Sequence, residues 1–307
     1  PKSSCAGAAS DAGIRAVMNR GLAGEADDPD TLAKFQTAVN EINAFADNPL
    51  VTFMFGPHAP YSCMASLLKK LTDEAEKYGI GLNIHLSESK DEMAMIAEQH
   101  DGMTPIEYVD SLGIFRVPTL AAHCVQATDH DIEIFKEKGV SVALNPKSNM
   151  KLGNGFAPAA RFLEAGVNVA LGTDGCGSNN SLNMFQEMNT AALVYKGANC
   201  SAQCVSAEDV LTMATEGGAK AIGMEGKLGV IAEGALADII ILNLDEPQFQ
   251  PLNNIVSGLV YSSKGSEVET VIVDGRPVME NGHILSVNVA EVYAHCDEIT
   301  KRLNMQK

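Results

Sequence analysis

A chain of 307 residues, 46% of them hydrophobic and 20% charged, is long enough to bury one large α/β core with a small companion domain. Its formal net charge of -17 repels phosphate backbones and anionic lipid, which excludes nucleic acid and membrane surfaces as partners and leaves a neutral or cationic small molecule. No apolar run is long enough to span a bilayer, no charged-then-apolar leader opens the chain, and seven scattered cysteines without a CxxC pair suit a reduced, cytoplasmic protein.

A unit recurs along the chain: a short β-branched run, a few polar or glycine residues, then a helix with apolar residues three and four apart. That alternation predicts parallel βα units. Ile14–Arg20 reads as a strand, followed by an acidic loop and a helix over Pro29–Ala46, with Asp28 as its cap and Pro29 in its first turn. Val51–Phe55 is the next strand, running into Gly56-Pro57-His58, and a helix over Met64–Tyr78 follows. Strand Leu82–Leu86, helices Lys90–Gln99 and Pro105–Leu112, and strand Thr119–His123 come next. A helix over Asp129–Lys138 leads to strand Val140–Leu144, which ends in Asn145-Pro146. The stretch Lys147–Phe156 reads as a loop, before helix Ala157–Ala165 and strand Val167–Leu171. Helices over Ser181–Lys196 and Ala207–Gly217 close this part, the first capped from Asn179-Asn180-Ser181.

After Gly226 the pattern turns β-rich, with strands Asp238–Leu242, Val268–Asp274 and Arg276–Glu280 and a final helix over Val289–Leu303. The expected domains are a barrel over 1–225, the C-terminal part of a small β-sandwich domain over 226–288, and a C-terminal helix over 289–307. Six βα units precede the tail, two short of a (β/α)8 TIM-type barrel. The expectation is an α/β barrel whose first two strands are missing from this chain.

Polar chemistry sits at the carboxyl end of strand after strand: Arg20, His58, His85, His123, Asn145 and Asp174. In a parallel barrel those ends share one rim and converge on one pocket. Glu88 follows His85 by three residues, where the chain turns into a helix. A strand-end histidine can hold a metal, and a glutamate one turn away can move protons to and from its water. Each residue also has a plainer use. Arg20 could be half of an ion pair, His58 could shape a turn, His123 could be a satisfied core histidine, and Asp174 in Thr-Asp-Gly could serve a turn. Cys124 and Cys176 read as packing residues, with no His/Asn arrangement beside them. Taken together, the strand ends favour one hydrolytic site built on metal-activated water, since a bound zinc lowers the pKa of its water from ~15.7 to about 7.

The runs Gly56-Pro57-His58-Ala59-Pro60-Tyr61, Ile84-His85-Leu86-Ser87-Glu88 and Ala122-His123-Cys124-Val125 closely resemble the amidohydrolase superfamily. So do Asn145-Pro146-Lys147-Ser148-Asn149-Met150-Lys151-Leu152-Gly153-Asn154-Gly155 and Leu171-Gly172-Thr173-Asp174-Gly175, continuing to Asn179-Asn180-Ser181. Within it the chain is similar to the 5-methylthioadenosine/S-adenosylhomocysteine deaminase branch, which neighbours the chlorohydrolases. The resemblance implies His85 and Asp174 as metal ligands, Glu88 as a proton shuttle contacting the purine, and His123 as the residue that assists the attacking water. It implies His58 and Arg20 as substrate contacts. The catalytic set is then Glu88, His123 and Asp174, and the reaction replaces the 6-amino group of an adenosine-type nucleoside by oxygen, releasing ammonia.

Two departures from the family pattern stand out. The family's first strand carries a His-x-His pair that supplies two further ligands, and this chain has none. The cofactor expected is one divalent metal, zinc with iron as the alternative, whose full site needs two histidines not present here. The corresponding expectation is a fragment of a longer enzyme, completed by an N-terminal segment, and compatible with a homo-oligomer. Thr31 stands where some relatives carry an arginine for the homocysteine carboxylate, which favours methylthioadenosine or adenosine over S-adenosylhomocysteine. The alternatives are a guanine- or triazine-type aminohydrolase or chlorohydrolase, and a metal-free protein without catalysis.

Overall fold

The structure is a computed structural model that describes residues 5–305. The chain enters through a short helix, α1 (Cys5–Asp11), into two brief strands, β1 (Ala16–Met18) and β2 (Gly21–Leu22). Helix α2 (Pro29–Ala44) follows, capped by the Asp28 side chain, which accepts from the Thr31 amide. Strands β3 (Val51–Phe53) and β4 (Gly56–Pro57) then pair in parallel with β1 and β2, residue Ala16 opposite Val51 and Leu22 opposite Pro57. The strands expected over Ile14–Arg20 and Val51–Phe55 are therefore each shortened to three residues, and a second, two-residue strand follows each beyond the expected bounds. Gly56, the first residue of β4, is required there because a Cβ would lie 2.9 Å from the carbonyl oxygen of Arg20.

Helix α3 (Ala65–Tyr78) buries Leu67, Leu68, Leu71 and Ala75 on one face and stops at Gly79, which takes the left-handed conformation of a helix end. Strand β5 (Leu82–Leu86), helices α4 (Lys90–Gln99) and α5 (Pro105–Ser111), strand β6 (Thr119–His123), helix α6 (Asp129–Lys138) and strand β7 (Ser141–Leu144) follow as read from the sequence. Pro146, which suits a first helical turn, then opens a helix, α7 (Pro146–Lys151), inside a stretch expected to be loop. After α8 (Ala159–Ala165), strand β8 (Asn168–Leu171) completes a parallel sheet in the order β5-β6-β7-β8. A parallel bridge between Phe55 and Leu82 joins that sheet to the first strands. Six strand positions thus run parallel around one core, which contains Leu22, Phe55, Ile84, Leu86, Ala121, Val142, Leu144 and Val169. This is the TIM-type α/β architecture.

The turn α9 (Cys176–Asn179) precedes α10 (Met184–Ala198), which is capped by Asn183 rather than by Asn179-Asn180-Ser181. The helix expected over 207–217 is broken into α11 (Ala207–Ala214) and α12 (Glu216–Ala221) by a non-helical Thr215. The break lets α12 lie directly on β8, at a point where a Cβ on Gly217 would sit 2.2 Å from the Val169 carbonyl oxygen. Beyond it, β9 (Ile239–Leu242), helix α13 (Ile255–Tyr261), β10 (Val268–Val273), β11 (Arg276–Glu280) and β12 (His283–Ile284) lead to α14 (Val289–Asn304). The strands form one antiparallel sheet in the order β12-β11-β10-β9. Helix α13, unread in the sequence, packs on α10 and α11 and puts Val260 into the barrel core. Arg15 ties the small sheet to the barrel through Asp238, at 2.6 Å. Among the described residues no helix is long and apolar enough to cross a membrane.

Candidate active site

The parallel register brings the strand ends to one level: His85 lies opposite Ala122, and Leu86 opposite His123. Three imidazoles meet there. The His58 and His85 ring centroids are 5.1 Å apart, and those of His85 and His123 are 5.4 Å apart with a 27° angle between planes. His58 follows β4 directly; its Nδ1 lies 2.7 Å from the Ser62 hydroxyl, and its ring meets Tyr61 edge-on. Burial, followed by the proximity of His85, lowers the His58 pKa below its ordinary value, against an opposing pull from Glu88. His85 Nδ1 lies 2.6 Å from the His58 carbonyl oxygen, an acceptor, so this nitrogen carries the proton and Nε2 keeps its lone pair.

His123 is buried, and its Nδ1 donates to Asn149 Oδ1 at 2.8 Å, which leaves its Nε2 as the accepting atom. The side chain of Asn145 is 3.5 Å from the same Nδ1, too long and of the wrong polarity to compete. Glu88 Oε1 lies 3.8 Å from His123 Nδ1 and accepts from Asn154 Nδ2 at 2.9 Å. No described residue donates to Glu88 Oε2, which makes that oxygen the one available to carry a proton. Asn154 is delivered by two glycines with positive φ, Gly153 and Gly155, and its carbonyl accepts from Gln126.

Asp174 ends β8 with a positive φ of 59°. Its Oδ2 accepts from the Ser148 and Ser178 hydroxyls at 2.7 and 2.5 Å, and its Oδ1 from the Gly175 amide at 2.6 Å. Burial would raise its pKa, but the hydrogen bonds from Ser178, Ser148 and Gly175 and the nearby His123 together lower it. Ser87, His123, Cys124 and Asp174 are all non-glycine residues with positive φ at strand ends. Backbone strain of that kind collects at functional sites.

Arg20 stands apart. Its Nη2 meets both oxygens of Glu41 at 3.1 Å, and among the described residues nothing links it to the imidazoles. The ion pair, one of its two sequence readings, is formed. Thr31 is buried at the start of α2, its hydroxyl donating to the Ala23 carbonyl. Cys124 is fully buried, and burial pushes its thiol well above the ordinary value, as a packing residue requires.

Asn149, Asn154, Ser148 and Ser178 lie in or beside the polar runs, yet nothing in the sequence assigns them partners. Two buried carboxylates went unread as well. Glu92 holds the amides of Ser87 and Glu88, while Glu187 accepts from the Lys147 amide and from Asn179, which in turn donates to the Thr173 carbonyl. The signal for Glu92 was the Ser-x-x-Glu spacing from Ser89.

The site also bears on a bound cation. His85 offers Nε2, and Asp174 a carboxylate held charged by its donors, both suited to a divalent metal. Among the described residues, however, no three His, Cys, Asp or Glu side chains group to hold one, so this set of donors is incomplete.

The amidohydrolase family model matches residues 4–278. This chain belongs to the amidohydrolase family. It is a hydrolase of the kind that acts on C–N bonds. It is 44% identical over 293 residues to the 5-methylthioadenosine/S-adenosylhomocysteine deaminase of Caldanaerobacter subterraneus subsp. tengcongensis, a match covering 95% of this chain and 67% of that protein. It is 43% identical over 296 residues to the 5'-deoxyadenosine deaminase of Methanocaldococcus jannaschii, covering 95% of this chain and 69% of the relative. Among solved structures, an adenosine deaminase from Xanthomonas campestris with bound zinc superimposes with a TM-score of 0.93 at 31% identity, over 98% of this chain and 69% of that one. The atrazine chlorohydrolase TrzN from Arthrobacter aurescens TC1, complexed with zinc, matches with a TM-score of 0.84 at 26% identity, over 94% of this chain and 66% of that one. The chain spans about two thirds of the length of the proteins it matches.

Proposed function

We propose that this chain carries the larger part of a metal-dependent hydrolytic deaminase acting on an adenosine-type nucleoside. Water replaces the 6-amino group of the purine, the C6–N bond breaks, and an inosine analogue and ammonia leave. The observation that carries this reading is the cluster of His58, His85 and His123 beside a Glu88 with one uncommitted oxygen. Relatives named as deaminases of methylthioadenosine, S-adenosylhomocysteine and 5'-deoxyadenosine support the purine.

Within that reading His85 and Asp174 would be two of the ligands of a divalent cation, zinc by analogy with the zinc-bound neighbours. Such an ion would supply an activated water at neutral pH. Glu88 takes one proton from the attacking water on Oε2 and gives it to the ring nitrogen beside C6, then carries the second, from the new C6 hydroxyl, to the departing nitrogen, which leaves as ammonia. His123, with its Nε2 free, accepts from the water and aims it at C6. Asn149 fixes that tautomer by accepting from Nδ1. His58 bears on the substrate from the neighbouring strand. Arg20, held by Glu41, is the weaker substrate contact of the two. Seven free thiols suit a reducing cytoplasm.

The test is ammonia release from methylthioadenosine, S-adenosylhomocysteine, 5'-deoxyadenosine, adenosine, guanine and a chlorotriazine. Turnover of at least one adenosine compound is expected. Turnover of guanine or the triazine alone would replace this reading with the ring hydrolase suggested by the chlorohydrolase likeness.

A further inference from the structure

Four helices of this chain begin with a hydroxyl cap and an acid three residues on. In α5, α6 and α11 the acid reaches back to the amide of its own cap: Glu107 to Thr104, Asp131 to Thr128, and Asp209 to Ser206. These are ordinary capping boxes. Helix α4 departs from them. Its cap, Ser89, accepts from the Glu92 amide as expected, but the Glu92 carboxylate passes over the cap into the loop. Oε1 accepts from the Ser87 amide at 3.1 Å and Oε2 from the Glu88 amide at 2.7 Å.

That carboxylate is only 3% exposed. Burial is also the first cause of its raised pKa, at about 7. Capping alone does not require such a placement, since the acids of the three sibling helices, Asp131 among them fully buried, each turn back to the amide of their own cap. The two amides it holds belong to the residue with the strained backbone, Ser87 at φ 49°, and to the proton carrier, Glu88. The far end of Glu88 is fixed independently by Asn154. Held at its amide by one side chain and at Oε1 by another, Glu88 has little freedom left except to present Oε2.

We propose that Glu92 is a positioning residue for the reaction: its buried carboxylate clamps the Ser87-Glu88 backbone and thereby aims the Glu88 carboxylate at the substrate without touching it. The proposal rests on the reading of Glu88 as proton carrier. Loss of the clamp lets Ser87 relax from positive φ and swings the Glu88 Cα, and a misplacement of about 1 Å in a catalytic group costs on the order of 10²-fold in rate.

The test uses the metal-loaded, active protein with the substitutions Glu92→Gln and Ser89→Ala. A glutamine keeps the volume but offers one acceptor where two amides need one each. Glu92→Gln is expected to lower kcat on the order of 10²-fold with KM within about threefold, because the interaction matters in the transition state rather than in binding. Backbone amide exchange at Ser87 and Glu88 is expected to rise by about tenfold or more, with the β5 amides unchanged. Ser89→Ala removes the helix cap alone, so it is expected to lower Tm while leaving kcat as in the wild type. Should Glu92→Gln fail to fold, Glu92→Asp, shorter by one methylene, carries the same measurements. A kcat within threefold of wild type in a variant whose two amides have become labile overturns the proposal, as does an equal kcat loss in Ser89→Ala. Unchanged exchange at the two amides overturns the clamp whatever the turnover. The deaminase reading fails separately, by wild-type protein that releases no ammonia from any adenosine compound.

Discussion

Glu187 is the residue whose loss should cost the rim most stability. It is fully buried on α10, accepts from the Lys147 amide at the start of α7, and accepts from Asn179, each at 2.9 Å. Asn179 donates onward to the Thr173 carbonyl, beside Asp174, so one carboxylate ties together the loops that leave β7 and β8. Hydrogen bonds to a charged group contribute about 1.5–3 kcal/mol each, and Glu187→Ala leaves the Lys147 amide without its acceptor and Asn179 with its Thr173 bond alone. Against that, burial is the main cause of a raised pKa at Glu187, so deleting the charge recovers part of its desolvation cost. A net loss of about 3 kcal/mol follows from the two opposing terms. With an unfolding entropy of about 2.1 cal/mol/K per residue, that shifts Tm down by about 5 °C for a chain of this length. Glu187→Gln keeps one acceptor and should fall between the alanine variant and wild type. Calorimetry and near-UV circular dichroism on the three proteins measure the order. A Tm for Glu187→Ala within about 1 °C of wild type would refute the reasoning, since neither bond could then be contributing.

Three further outcomes are expected. Glu88→Gln should lose about 10²–10⁴-fold in kcat with an unaltered Tm, because it removes proton transfer and leaves the Asn154 contact an acceptor; activity near wild type would remove Glu88 from the mechanism. Gly217→Ala forces a methyl to within 2.2 Å of the Val169 carbonyl oxygen and should cost about 3 kcal/mol or more in urea titration, since backbone on both sides must move. Asp238→Asn should destabilise most at neutral pH. Burial alone would raise the Asp238 pKa, but the Arg15 hydrogen bond, the Asp274 amide and the Arg15 charge together hold it below 3.8. A depressed carboxylate contributes stability that is present above its unfolded pKa and lost as pH falls through the folded value. The gap between wild type and Asp238→Asn, read as urea midpoints, should therefore close below about pH 4, and a gap that widened with acid would contradict the Arg15 pairing.

The sequence by itself determined the alternation of strands and helices and the residues that end each strand. Both are local signals: apolar periodicity sets the element, and the residue after the last apolar position is the one that reaches the rim. His58, His85, His123 and Asp174 were legible for that reason, and the long polar runs around them carried the family. Who partners whom was decided only by the tertiary structure. Arg20 at a strand end looks the same in sequence whether it faces a substrate or Glu41, and the Glu41 that claims it lies on the following helix. Asn154 reaches Glu88 across 66 positions because two glycines turn its loop. The break at Thr215 and the helix α13 follow from packing on β8 and on α10 and α11, not from propensity. Glu92 shows the division most plainly. Its spacing from Ser89 announces a capping box, but the strained backbone at Ser87 and the burial behind β5 redirect its carboxylate to the amides of Ser87 and Glu88. Periodicity is fixed by neighbours along the chain, whereas the direction of a buried hydrogen bond depends on which groups folding leaves without water.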